Sequence, residues 1–149
     1  MTVEEYIKYR IGTIDPLKVF QKIFTKPFKS NSLRKFWWYW NPGYGYFLLF
    51  YCYRPLRSLI PHSLALIITF LICGFFHDLL YLVPMAIMDD GKIPLPFVTT
   101  WFLFISIGVI ISEYFQIDFK NIRPEIRPII HMGFLTVTFA STIFLSSKI

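Results

Sequence analysis

Across residues 58–88 the chain carries one formally charged side chain, Asp78. As a helix, those 31 residues would measure roughly 46 Å, more than the ~30 Å hydrocarbon core of a bilayer. A tilted span, or one kinked at Pro84, takes up the excess. Two further apolar stretches, near 96–114 and 129–145, are each of crossing length. The expected fold class is all-α: an integral membrane helical bundle with about three transmembrane helices, plus interfacial or re-entrant helices.

Composition agrees, since only 16% of the 149 residues are charged and 55% are hydrophobic, whereas soluble domains carry about a quarter charged residues. One domain over 1–149 is expected. Within it, 1–30 reads as a basic interfacial region, 31–88 as the core, and 89–149 as two further spans. The opening MTVEEYIKYRIGTID has no apolar h-region, so no signal peptide is expected. Cys52 and Cys73 both sit in apolar runs and read as small core residues.

Charge is distributed unevenly. Residues 1–57 hold ten Lys/Arg against three acids. Beside hydrophobic spans, such a bias reports orientation and contact with anionic headgroups, and no nucleic-acid partner is expected. With the N-terminus cytoplasmic, Asp89-Asp90-Gly91-Lys92 falls on the far side. The loop carrying Lys120, Arg123 and Arg127 then returns, and the C-terminus ends opposite the N-terminus.

Within the basic third, residues 15–29 have helical periodicity. Asp15 is a candidate N-cap and Pro16 suits the first helical position. Leu17, Phe20, Phe24 and Phe28 fall on one face, and Lys18, Lys22 and Lys26 on another. Periodicity does not distinguish a helix lying in the membrane interface from one packed on the protein. Ser32 opens a second helix through the aromatic run ending at Trp40. Residues 46–53 are apolar but too few to cross, which suggests a shallow or re-entrant helix.

An ionisable group at membrane depth is a functional-site hypothesis, which singles out His77 and Asp78. A neutral imidazole in a low-dielectric site can take a proton from a hydroxyl. Adjacent helical residues point about 100° apart, so Asp78 need not touch His77; Arg54, Arg57 and Lys35 are the cations offered to it. A metal site joining His77 to His131 lacks further ligands at suitable spacing, and no metal is expected. His62 follows Pro61 at the membrane surface.

Phe36-Trp37-x-x-Trp40-Asn41 resembles the Phe-Trp-x-x-Trp-Asn element of the membrane-bound O-acyltransferase family, in its sterol and diacylglycerol branch. Eleven residues then lead to Tyr53-Arg54-Pro55, and nineteen more to Phe75-Phe76-His77-Asp78, similar to the branch's Tyr-Lys-Pro and Phe-Phe-His-Glu. Order and spacing both match. The family's preceding Asp-Trp-Trp-Asn element has no counterpart here, and the chain is much shorter than usual members.

The resemblance implies acyl transfer inside the membrane. His77 would be the general base and Asn41 its polar partner at the donor carbonyl. Acyl-CoA would be the co-substrate, near Arg34, Lys35, Trp37 and Trp40, and a lipid or sterol-like hydroxyl the acceptor. The short chain suggests a homo-oligomer or a larger membrane partner. The competing reading is a non-catalytic structural subunit of a larger membrane complex that retains the family core. A carrier or channel component is disfavoured, because the spans offer few pore-lining charges beyond Asp78 and Glu113.

Overall fold

The computed structural model describes residues 1–88 and 96–148. Its elements follow as α1 (Val3–Ile11), α2 (Pro16–Phe28), α3 (Leu33–Tyr39), α4 (Pro42–Phe47), a π-helical segment (Leu48–Tyr53), α5 (Arg54–Leu59), α6 (His62–Met88), α7 (Phe97–Tyr114) and α8 (Arg127–Ser146). Among the described residues there is no strand. The fold is all-α, and α6, α7 and α8 supply three helices long and apolar enough to cross a membrane.

Local chemistry sets the boundaries. Asp15 caps α2 by accepting from the Lys18 N–H, with Pro16 in the first turn, and Ser32 caps α3 through Lys35. The first span begins at His62 and not at Ser58, because Ile60 is extended (φ −134°, ψ 161°) and a residue before proline disfavours the helical region. The anticipated re-entrant stretch is helical from Pro42 to Leu59, with its middle widened into a π-helix. The acidic stretch at residues 89–92 lies outside the described residues.

The packing is inside-out relative to a water-soluble bundle. Thr69, Asp78, Ser106, Ser112, His131, Thr138 and Thr142 are buried, while Leu64, Phe75, Leu80, Ile111, Ile129, Val137 and Phe144 are exposed. Small hydroxyl residues inside and large apolar ones outside suit a lipid solvent, where helix association rests on close packing and polar contacts. The hydroxyls are satisfied locally: Thr69 donates to the Ala65 carbonyl, Ser112 to Val109 and Thr142 to Thr138. The apolar core is a small cluster of Leu33, Ile105, Val109 and Phe119.

Among the described residues, the most extensive helix–helix seam is that between α6 and α7. A Cβ on Gly74 would lie 2.6 Å from the Thr99 Cα, so only glycine admits the α7 backbone there. One turn later, buried Asp78 accepts from the N–H groups of Val98 and Thr99, each at 2.7 Å, and from the Thr99 hydroxyl at 2.6 Å. These donors belong to the first turn of α7, whose preceding Pro96 offers no side-chain cap. Asp78 therefore caps α7 from α6, a partner different from the three cations its sequence context offered.

Candidate functional site

The aromatic helix α3 ends at Trp40, whose backbone is extended, and Asn41 follows with φ +38°. Asparagine tolerates this left-handed region better than most residues. Here its Oδ1 accepts from the Tyr44 N–H at 3.3 Å, capping α4. With Oδ1 committed to the cap, the Nδ2 amide group is the end left to donate. Asn41 is exposed.

His77 lies on α6 and is likewise exposed. Its Nδ1 donates to the Cys73 carbonyl at 2.7 Å. A carbonyl only accepts, so the proton resides on Nδ1 and the neutral ring keeps its acceptor lone pair on Nε2. Phe102 flanks the imidazole at 5.7 Å, and Tyr44 meets it edge-on at 6.0 Å. Tyr44 also hydrogen-bonds the side chain of Cys73. Burial pushes its phenol up to about 12, so the hydroxyl stays protonated.

Asn41 and His77 line one cavity of about 220 Å³ together with Arg34, Trp37, Trp40 and Tyr44. Leu48, Leu49, Leu66 and Phe70 form its apolar wall. Five of the six site residues expected from the sequence thus share a cavity. Lys35 does not. It lines a separate groove with Lys26, Lys29, Tyr39 and Arg127.

Arg34 is committed to a polar chain that the sequence left hidden. It pairs with Glu113 at 3.1 Å, Glu113 meets His62 Nε2 at 2.9 Å, and His62 Nδ1 meets the Tyr53 hydroxyl at 2.7 Å. This ties α3, the π-helical segment, α6 and α7 around the cavity. His131 stands apart from His77: it is buried in α8, with Nε2 donating to the Ser30 carbonyl at 3.0 Å.

Residues 18–88 match the model of the MBOAT, membrane-bound O-acyltransferase family. That segment contains Asn41, His77 and the aromatic helix between α2 and α4. Over residues 18–88 the chain is similar to that family. The chain is also 33% identical over 80 residues to diacylglycerol O-acyltransferase 1 of Arabidopsis thaliana. That alignment covers 48% of this chain and 15% of the relative, so the chain spans a small part of the protein it matches. No solved structure matches the chain. The match over residues 18–88 and the three apolar helices together make this an integral membrane protein.

Proposed function

We propose that this chain transfers a fatty acyl group from acyl-CoA to a lipid or sterol-like hydroxyl. What carries the reading is the paired commitment of Asn41 and His77. Each has one polar end tied to the backbone, at Tyr44 N–H and Cys73 carbonyl, while its other end is left for a ligand in a shared cavity. In the proposed step, His77 Nε2 takes the proton from the acceptor hydroxyl as its oxygen bonds to the thioester carbonyl carbon. Asn41 Nδ2 donates to the developing oxyanion. The C–S bond then breaks, and the imidazolium returns the proton to the departing thiolate, giving the ester and free CoA.

The orientation proposed with this reading places the basic N-terminal third on the cytoplasmic side and the C-terminus opposite. The experiment is turnover of acyl-CoA by the purified protein with diacylglycerol, sterol and fatty-alcohol acceptors, beside His77→Ala. Release of CoA by the wild type but not by the variant supports the mechanism. Equal release, or none by either folded protein, removes it.

The alternative reading is a non-catalytic membrane subunit that retains the family core and packs against a larger partner. Co-purification of a stable partner, with no turnover by the isolated chain, would select that reading.

A further inference from the structure

The cavity holds a second arginine that neither the family segment nor the sequence motifs account for. Arg10 lies on α1, ahead of the matched residues 18–88. It is 5% exposed and lines the same cavity as Asn41 and His77. Its guanidinium carbon stands 3.0 Å from the Trp38 ring centroid and 4.5 Å from that of Tyr6. One terminal nitrogen donates to the Trp38 carbonyl at 3.2 Å and the other to the Tyr6 hydroxyl. Its Nε is buried with no partner among the described residues.

Among the described residues, no carboxylate comes within ion-pair distance of Arg10. The neighbours that favour its charge are Tyr6, Tyr9 and Tyr39. Burial lowers its pKa to about 10, which leaves it a cation at neutral pH. Arg34, the other cation of the cavity, is by contrast neutralised by Glu113, and among the described residues no Asp or Glu lines the wall. A desolvated charge without a counter-ion is costly. The cavity is therefore short of one anion.

We propose that Arg10 is the counter-charge for a phosphate group of a bound substrate. The inference rests on the acyl-transfer reading for the substrate's identity, though not for the binding site. A guanidinium has five N–H donors in a planar fork, of which two are used here, and such forks match phosphate oxygens. Stacking on Trp38 fixes the plane of the fork. At about 220 Å³ the cavity is smaller than the usual ligand pocket of 300–1,000 Å³, so it suits a head group, with the acyl chain reaching lipid past Leu48 and Leu49. The phosphate has two sources: the donor's pantetheine-diphosphate arm, or the head group of a lysophospholipid acceptor.

The test measures binding, not turnover, by tryptophan fluorescence of His77→Ala protein in maltoside micelles, which bring no phosphate. Two pairs of probes are compared: CoA against pantetheine, and lysophosphatidate against monoacylglycerol. At least tenfold tighter binding of CoA than pantetheine identifies the donor phosphate. The same preference within the second pair identifies an acceptor phosphate. Arg10→Gln should erase the preference and Arg10→Lys restore part of it. Equal affinities within both pairs, no binding by any probe, or a preference that survives Arg10→Gln overturns the proposal. The first two outcomes are read with Arg10 intact and do not depend on the variant's folding. Because His77 is already absent, failure of acyl transfer leaves this result standing.

Discussion

The ring of Tyr44 stands edge-on to the imidazole of His77, with centroids 6.0 Å apart and planes at 89°. Tyr44 also serves both other ends of the candidate site. Its N–H caps onto Asn41 Oδ1, and its side chain hydrogen-bonds Cys73, whose carbonyl receives His77 Nδ1. One residue of α4 thus orients a polar group on each side of the cavity.

Tyr44→Phe keeps the ring and removes the hydroxyl. Losing one net hydrogen bond of about 1 kcal/mol should lower acyl-transfer kcat roughly fivefold, with KM for acyl-CoA little changed. Tyr44→Ala, which also removes the edge contact, should cost more. Steady-state CoA release measures both, and a rate unaltered in Tyr44→Ala would reduce the ring to a space-filler.

Asn41 combines a left-handed backbone with a polar side chain, and Asn41→Gly separates them. Glycine accepts the positive φ freely and replaces an N-cap at a cost of only a few tenths of a kcal/mol. Thermal stability should therefore hold. Transfer should fall by about 10²–10³, the range for loss of one oxyanion donor. Parallel melting and turnover curves check this, and a variant that melts normally and transfers normally would remove Asn41 from the chemistry.

Asp78 gives a contrasting expectation, because its carboxylate is spent on the first turn of α7. Asp78→Ala strands two N–H groups and a hydroxyl beside the Gly74 contact. Each unsatisfied buried donor costs about 1–3 kcal/mol, and a favourable charge at a helix N-terminus is lost as well. A destabilisation of about 3 kcal/mol is expected in denaturant titration of the solubilised protein. Asp78→Asn, which still accepts hydrogen bonds, should cost less. A stable Asp78→Ala protein lacking only activity would return Asp78 to the reaction.

What the sequence made legible was local. Asp15 and Ser32 are caps because their side chains reach an N–H three residues on, and the spans follow from long, predominantly apolar runs. Helix α1 was also within reach: Thr2 and Glu5 form a capping box and Gly12 closes the end at φ +84°. Asn41 and His77, 36 residues apart, are paired by the resemblance to the family's motifs, and the fold puts both on one cavity. The links that complete the site were not legible. Asp78 with Thr99, Glu113 with Arg34 and His62, and Arg10 with Trp38 join separate elements whose packing has no periodic signature. The π-helical turn at 48–53 likewise has no local marker in its apolar residues.

The periodicity of α2 fits two placements, and its packing leaves the apolar face outward. Leu17, Phe20 and Phe24 are 78%, 62% and 47% exposed, while Lys22 and Lys26 turn inward to the carbonyl end of α1. Lys26 Nζ donates to the Ile11 carbonyl at 2.9 Å, a favourable placement for a cation at a helix C-terminus. The outward face is therefore the apolar one, as suits a helix lying in the membrane interface. A nitroxide attached at Phe20→Cys should collide more often with dissolved oxygen than with a water-soluble nickel chelate. At Lys18→Cys the order should reverse. If position 20 meets the chelate as readily as position 18, the face is turned to water and the interfacial placement of α2 is wrong.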